Sequence, residues 1–376
     1  MTTTPIVFDY LKSMSGRGAT DLYLTVGFPA ALRIDDRMEF ISSHALDLGM
    51  MGDILVSVLS TRQRREFENR LELNTAIDMG EYGRFRINVM QQRQNPALVI
   101  RRIISKIPTF EELRLPPQLR QLAMQKRGLV LVTGMTGSGK STTLASMVDY
   151  RNQHAQGHII TIEDPIEYFH DHKGCVVSQR EVGVDTENYA VALKNALRQR
   201  PDVILVGEIR DREVMEQALT AAETGHLCLA TIHTKNSYQA IERIVNLFPE
   251  ESAPQIRLNL ATNLRAILSQ RLVPTISGSM TVALELMLNE GFVRDLILEG
   301  KISKIREVMD ANISNGMVTF DQSLLQLYQD GLISDETALS QSDMQGDMKL
   351  KLQKARLGGR GDAFSSMDTS ILKISD

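Results

Sequence analysis

A lysine and a serine at the end of a glycine-rich stretch have the most evident chemical potential in this sequence. Gly134 and Gly139 bracket four residues, and an apolar run, 129–133, precedes them. The glycines allow backbone N–H groups to point at phosphate oxygens, and a following helix adds partial positive charge. Lys140 can reach the β- and γ-phosphates, and Ser141 can ligate Mg²⁺. The pattern predicts a P-loop; the alternative is a glycine-rich turn that binds nothing. The predicted nucleotide-binding residues are Gly134, Met135, Thr136, Gly137, Ser138, Gly139, Lys140, Ser141 and Thr142.

Carboxylates follow a second apolar run in the stretch IITIEDPIEY, residues 159–168. If this run is a strand beside the P-loop, a carboxylate at its end can orient the attacking water, accept its proton or hold Mg²⁺ through solvent. The alternative is that Asp164 and Pro165 form a turn and that Glu163 and Glu167 are solvated. The P-loop favours a catalytic role, so Glu163 and Glu167 are candidate catalytic residues.

The stretch DVILVGEIRD is a third candidate, because an apolar strand that ends in an acid can place a carboxylate beside Mg²⁺ in P-loop enzymes. Here Gly207 follows the apolar run and Glu208 takes the acidic place. Glu208 is therefore the candidate Walker B residue and, with Ser141, a candidate metal ligand. An acidic helix N-terminus at Glu208 and Asp211 is a simpler interpretation that can coexist with it.

Two histidines, His226 and His233, flank the apolar run in GHLCLATIH. A lone histidine is more often a hydrogen-bonded structural residue than a catalytic one. His233 follows the carboxyl end of this predicted strand, where it can sense the γ-phosphate, and His226 is the weaker candidate for the same role. Metal ligation is disfavoured because no cysteine pair or further histidine accompanies them.

Three arginines lie in the stretch GRFRINVMQQR: Arg84, Arg86 and Arg93. Strand alternation puts Arg84 and Arg86 on one face, where they can approach a nucleotide from across a domain or subunit boundary. From the residues alone, an exposed basic strand face is the favoured interpretation.

The order of predicted elements indicates two α/β domains. Residues 1–104 combine helical and strand patterns, the proline-rich stretch 105–117 is a linker, and strands alternate with helices from residue 118. That alternation predicts a mostly parallel sheet with ligands at the carboxyl ends of its strands. We also predict a long helix over 253–270, a strand over 280–287 and several short helices over 291–331, with this domain ending at about residue 344. The basic, glycine-containing stretch 345–376 predicts a disordered tail.

Composition limits the function classes. The formal charge of −4 gives no overall attraction to nucleic acid, and Cys175 and Cys228 are too few for a four-cysteine zinc site. No stretch approaches the roughly 20 apolar residues of a membrane span. We therefore expect a cytoplasmic protein without direct membrane insertion or a nucleic-acid partner.

The motifs GMTGSGKST, TIEDPIEY, VGEIRD and AETGHLCLATIHT, in this order, resemble the secretion-type ATPases, in particular the pilus retraction ATPases of the PilT/PilU group. The resemblance implies an N-terminal PAS-like domain, a C-terminal RecA-like P-loop ATPase domain and a homohexamer that binds ATP and Mg²⁺. It assigns Glu163 and Glu167 to the Asp box, with Glu167 favoured as the catalytic carboxylate. Glu208 is assigned to Walker B, His226 and His233 to the His box, and the three arginines to positions facing the nucleotide.

Departures from the family pattern indicate which branch of the retraction ATPases this sequence resembles more. The helix that follows the ATPase core in the retraction group corresponds here to GFVRDLI, which keeps Arg294, Leu296 and Ile297, and Arg200 replaces the usual acid before Pro201. These features are more similar to PilU than to PilT. They imply an ATPase that powers or assists type IV pilus retraction alongside a PilT-like ATPase and an inner-membrane platform protein. Alternatives from other classes are a RecA-like nucleic-acid translocase and a scaffold that does not hydrolyse ATP.

Overall fold

The computed structural model describes residues 6–35, 37–103, 106–311 and 316–358. It divides into two compact units. The first holds the described residues of Met1–Ile107 with Glu163–Asp171 and Gln179–Val191. The second holds those of Pro108–Ile162, His172–Ser178 and Ala192–Asp376. The change from the first unit to the second at Ile107 falls inside the predicted linker.

The first unit contains an antiparallel six-stranded sheet in the order β3-β2-β1-β6-β5-β4. Its elements are α1 (Ile6–Gly16), β1 (Asp21–Thr25), β2 (Pro29–Ile34), β3 (Arg37–Ala45), α2 (Leu48–Val58), α3 (Thr61–Arg70), β4 (Glu72–Asp78), β5 (Arg84–Gln92) and β6 (Asn95–Ile103). Apolar side chains of α1 and α2 pack against one face of the sheet. Leu11 of α1, Met51 of α2 and Phe85 of β5 belong to this core. Strand alternation buries Phe85 and Ile87 and leaves Arg84 and Arg86 outside this core, as predicted.

The second unit is built on a seven-stranded sheet. Its first elements are α4 (Gln118–Ala123), β7 (Gly128–Thr133), α5 (Lys140–His154), β8 (Gly157–Glu163), β9 (Cys175–Glu181), α6 (Tyr189–Ala196), β10 (Val203–Val206), α7 (Arg212–Glu223) and β11 (Leu227–Ile232). The remaining elements are α8 (Ser237–Asn246), α9 (Ala253–Asn263), β12 (Leu264–Pro274), β13 (Met280–Leu288), α10 (Phe292–Glu299), α11 (Ile305–Ala311), α12 (Phe320–Gln329), α13 (Asp335–Gln341) and α14 (Gln345–Gly358).

The strand order β13-β12-β7-β11-β10-β8-β9 puts the P-loop strand between two parallel neighbours. β7, β8, β10, β11 and β12 run in one direction, and β13 returns antiparallel to β12. β7, β10 and β11 are buried along their whole length, which matches their continuous apolar sequences. Their carboxyl ends therefore meet at one edge, as predicted for an α/β sheet that binds a ligand.

The predicted helix over 253–270 is wrong in its second half. Helix α9 ends at Asn263, and β12 continues from Leu264 between β7 and β13. Both faces of this strand are largely covered, so its apolar residues follow no strict alternation. A short apolar run of this kind fits a buried strand as well as a helix.

The prediction of disorder is also wrong for residues 345–358. They form α14, and its Met348 and Leu352 are buried with Phe320 and Leu324 of α12 in a separate apolar cluster. One helical turn separates Met348 from Leu352, so both reach the same neighbour despite the basic residues around them. The remainder of the predicted tail, 359–376, lies outside the described residues.

Candidate functional site

The P-loop follows β7 and leads into α5. Gly134 has a φ of 148°, and a Cβ there would lie 2.3 Å from Ser138 Oγ and 2.6 Å from the Gln270 carbonyl oxygen. Gly139, with a φ of 89°, directly precedes the helix and supplies no side-chain cap. Because the first N–H groups of a helix lack intrahelical partners, those of α5 remain suited to an anion.

The Lys140 side chain lies within the P-loop. Its ammonium group donates to the carbonyl oxygens of Gly134 and Met135, each at 3.0 Å, and the residue is buried. These bonds hold a positive charge at the start of α5, beside the half-buried Ser141 and Thr142. A phosphate group is a stronger acceptor for an ammonium ion than a neutral carbonyl, so the lysine can exchange partners when a nucleotide binds.

Glu208 and His233 come together at the same edge of the sheet. Glu208 lies two residues beyond β10, and His233 directly follows β11. His233 Nε2 lies 3.2 Å from Glu208 Oε1, and Arg210 Nε donates to Glu208 Oε2 at 2.7 Å. Both carboxylate oxygens therefore have a partner that holds the group in place.

The electrostatic surroundings keep His233 neutral. Burial lowers the pKa of His233 below its ordinary value of 6.5, and the charge of Lys140 lowers it further. Arg243 and Arg210 act in the same direction, whereas Glu208 opposes them. A neutral imidazole whose Nε2 carries the proton can donate to the Glu208 carboxylate. Because β7, β11 and β10 are parallel neighbours, the start of α5 after the P-loop lies at the same sheet edge as Glu208 and His233.

His226 is not part of this cluster in a single chain. It precedes β11, and the register pairs Leu227 with Gly128 at one end and Ile232 with Thr133 at the other. The strand separates His226 from His233 by roughly 20 Å, given about 3.3 Å per residue. His226 Nδ1 instead contacts Thr224 Oγ1 and the Ala221 carbonyl oxygen, both at 3.1 Å. Within one chain, His226 therefore lies away from the Glu208–His233 pair, and its role as the weaker candidate stays a prediction.

The two Asp-box glutamates differ in their surroundings. Glu163 is the last residue of β8, is half-buried and accepts a hydrogen bond from Gln179 Nε2 at 3.2 Å. Glu167 is exposed. Between them, the backbone N–H of Ile166 donates to the buried carboxylate of Glu181 at 3.2 Å, which anchors the loop. The loop thus fixes Glu163 and leaves Glu167 accessible.

Two of the candidate arginines lie beside the Asp-box segment in the first unit. The Arg84 guanidinium lies over the Phe169 ring, 4.2 Å from its centroid. Arg86 lines a cavity of about 590 Å³ that also contains Asp164 and Glu181. Arg93 differs from both, because it occupies the exposed turn between β5 and β6 with a φ of 47°. The strand face that carries Arg84 and Arg86 therefore has defined neighbours within its own unit.

Some residues around the site have no clear signal in the sequence. Gln270 of β12 donates to Thr143 Oγ1 in α5 at 2.8 Å, and Arg243 donates to the His233 carbonyl oxygen at 2.9 Å. Glu285 accepts from the backbone N–H and the hydroxyl of Ser237, each at 2.7 Å, and so fixes the start of α8 after the His233 loop. Burial raises the pKa of Glu285, and the bonds from Ser237 oppose that rise.

Two features are absent from the part of the chain that the structure describes: a membrane-spanning helix and a cluster of metal-binding side chains. No helix there has both the length and the apolar character to cross a bilayer. No group of three or more His, Cys, Asp or Glu side chains there has metal-binding geometry.

A helix N-terminus shaped by glycines, a buried lysine and an acid–histidine pair at one sheet edge define a P-loop nucleotide-binding protein. Comparison with known families is more specific. The family model described as "Type II/IV secretion system protein" matches residues 25–309, more than half of the chain. The chain belongs to this family.

Individual relatives agree with this family. The chain is 45% identical over 370 residues to the type IV pilus ATPase PilU of Pseudomonas aeruginosa, covering 97% of this chain and 96% of that protein. It is 41% identical over 332 residues to the PilT retraction ATPase of the same organism, covering 88% and 96%. The crystal structure of the pilus retraction motor PilT with bound ADP matches with a TM-score of 0.84 and 43% identity, covering 90% and 97%. These similarities confirm the predicted α/β class and the resemblance to the PilT/PilU group.

Proposed function

We propose that this protein is a Mg²⁺-dependent ATPase of the type IV pilus machinery that powers or assists pilus retraction. The observation that carries this proposal is the convergence of Lys140, Glu208 and His233 at one edge of the parallel sheet. It supplies a phosphate-binding cation, an acid and a neutral histidine where the P-loop would hold the triphosphate.

The residues of the P-loop bind the phosphates in this account. Backbone N–H groups at the start of α5 and the Lys140 ammonium hold the β- and γ-phosphates in position for in-line attack by water. The Ser141 hydroxyl and the Glu208 carboxylate are oxygen donors, which suit Mg²⁺, and the bound ion would neutralise phosphate charge. The Glu208–His233 contact couples the position of His233 to this acid.

Glu167 is the proposed catalytic carboxylate, and Glu163 is the alternative. Glu167 is exposed and therefore accessible to water, whereas Glu163 is half-buried and held by a hydrogen bond from Gln179. Arg84, Arg86 and Arg93 are proposed to stabilise the charge that develops on the transferred phosphate. His226 can contribute to a nucleotide site only from a neighbouring subunit.

The assembly is proposed by analogy with the relatives. The chain spans nearly the full length of the PilU and PilT relatives, which favours the same two-domain organisation with 105–117 as linker. We propose a cytoplasmic homohexamer at the inner membrane, held there by the pilus platform protein. The sequence identity of this chain is higher to PilU than to PilT, and its GFVRDLI stretch is altered. Both features favour an accessory role beside a PilT-like ATPase.

The proposed function is tested with purified full-length protein and in cells. We expect ATP turnover that requires Mg²⁺, and retraction that depends on this protein when a PilT-like ATPase is also present. A strain that carries Lys140→Ala in the chromosomal copy should lose that contribution while producing the protein at the normal level. Normal retraction in this strain would contradict a motor role, and turnover without Mg²⁺ would contradict the proposed chemistry.

A further inference from the structure

A cavity of about 510 Å³ adjoins the P-loop on the side of β12. One wall is the loop itself, from Gly134 to Ser138. Another wall is 340–343, which comprises the last two residues of α13 and the first two of its connection to α14, and Lys235 and Gln270 also line the space. Two of the lining residues carry a buried polar atom without a hydrogen-bond partner in the described part of the chain, Ser138 Oγ and Gln270 Oε1. A cavity with such atoms is suited to a polar ligand.

Arg271 fixes the position of this C-terminal wall. Its Nη2 lies 2.7 Å from Asp343 Oδ1, and its Nη1 donates to the Gln341 carbonyl oxygen at 2.9 Å. The guanidinium carbon lies 3.8 Å from the centroid of the Phe320 ring. The side chains of Arg271 and Asp343 are 23% and 21% exposed, so solvent screens their attraction only in part. Charge, hydrogen bonding and stacking therefore hold the wall together.

Asp321 supports the same segment from behind. This buried carboxylate accepts from Ser342 Oγ at 2.8 Å and from the backbone N–H of Asp343 at 2.9 Å. Arg306 balances its charge at 2.7 Å and also approaches Asp343 at 3.8 Å. The segment is thus fixed by side chains of β12, α11 and α12, although it lies more than 200 residues after the P-loop.

Consecutive residues of β12 connect the two walls. Gln270 bonds to Thr143 in the first turn of α5, and Arg271 holds Asp343. We propose that 340–343 forms a wall of the nucleotide cavity and that Arg271 and Asp343 are positioning residues for nucleotide binding. When the phosphates of a nucleotide occupy the P-loop, the nucleotide borders this cavity. Movement of the wall would therefore change the affinity of the protein for the nucleotide. The inference rests on the proposed ATPase function and adds the C-terminal segment to its site.

The experiment measures ADP affinity by calorimetry, KM and kcat for ATP, and the thermal unfolding midpoint of full-length variants. Asp343→Asn keeps the shape of the side chain and removes its charge. We expect an ADP affinity about 3- to 10-fold weaker and a KM raised by a similar factor, with kcat within about twofold, as for loss of roughly 1 kcal/mol of ground-state binding. Arg271→Lys keeps the charge but loses the paired N–H groups and the stacking, so it should act in the same direction.

Asp335→Asn is the matched control, because Asp335 pairs with Arg356 in the same C-terminal region but does not line the cavity. It should leave ADP affinity and KM unchanged. Wild-type ADP affinity in both Asp343→Asn and Arg271→Lys would overturn the inference, as would equal weakening by Asp335→Asn. Either of these outcomes leaves the proposed function intact as long as the wild-type protein binds ADP and Lys140→Ala does not. A wild-type protein that neither binds ADP nor hydrolyses ATP overturns both proposals.

Discussion

The imidazole Nε2 of His233 lies 3.2 Å from Oε1 of Glu208 and connects the ends of two neighbouring parallel strands. Arg210 holds the other oxygen of the same carboxylate. Any shift of Glu208 on nucleotide binding would therefore reach His233, whose loop is tied to α8 through Arg243. The pair links Glu208, the candidate Walker B acid, directly to the loop that carries His233.

The protonation state of His233 predicts an acid limit for turnover. The pKa of His233 in the folded protein lies below the ordinary value of 6.5, so the ring is neutral at pH 6.5 and above. Protonation would add a charge near Lys140, and the contribution of the neutral ring to stability is lost as the pH falls through the folded pKa. We expect kcat to fall only below pH 6.5 in wild-type protein. His233→Gln should lower kcat at neutral pH and remove this acid limb; an unchanged acid limb in that variant would assign it to another group.

The two Asp-box glutamates are separated by amide substitutions. Glu167→Gln should retain nucleotide affinity and lose turnover by about 10²-fold or more, because an amide cannot accept the proton from water. Glu163→Gln should be milder, because Glu163 is half-buried and a glutamine oxygen can still accept the hydrogen bond from Gln179. Single-turnover rates and ADP affinity measure both effects. An inactive Glu163→Gln beside an active Glu167→Gln would reverse the assignment.

Arg84 and Arg86 are predicted to act together with the Asp-box segment that they approach in the first unit. Arg84 contacts Phe169 and Arg86 shares a cavity with Asp164, both residues of the same chain's Asp-box segment. Arg86→Ala should slow turnover on the order of 10³-fold if it stabilises the transferred phosphate. Mixed hexamers of Arg86→Ala and Lys140→Ala chains should remain inactive if Arg86 serves the P-loop of its own chain, because every chain then lacks one part of its site. Recovered turnover in mixing assays would show that Arg86 acts across subunits.

The C-terminal helix is predicted to be part of the folded core. Met348 is fully buried, so Met348→Ala should lower the free energy of unfolding by about 2–5 kcal/mol. Leu350 on the same helix is 59% exposed, and Leu350→Ala should change it by less than about 0.5 kcal/mol. Urea denaturation compares the two variants. Equal stability of both would mean that α14 does not pack as the structure shows.

Motif chemistry and strand order made much of the site predictable from sequence. Glu208 and His233 follow apolar runs, and parallel strands bring such ends to one edge. The same reasoning separates His226 from His233, because the strand lies between them. Arg271, Asp321 and Asp343 were not predictable, because charges far apart in sequence reveal no pairing until the fold brings them together. The sequence does not reveal β12 as a strand, because burial on both faces removes the alternation of apolar and polar residues. It does not reveal α14 as a packed helix, because basic residues surround Met348 and Leu352.

The most direct test of the account is ATP turnover by purified wild-type protein and by Lys140→Ala. The ammonium group of Lys140 is the charge that the P-loop places for the β- and γ-phosphates, and alanine removes it without adding bulk. We expect Mg²⁺-dependent turnover by the wild type and its loss in the variant, with circular dichroism showing that the variant is folded. Equal turnover by the two proteins would contradict the claim that this P-loop hydrolyses ATP.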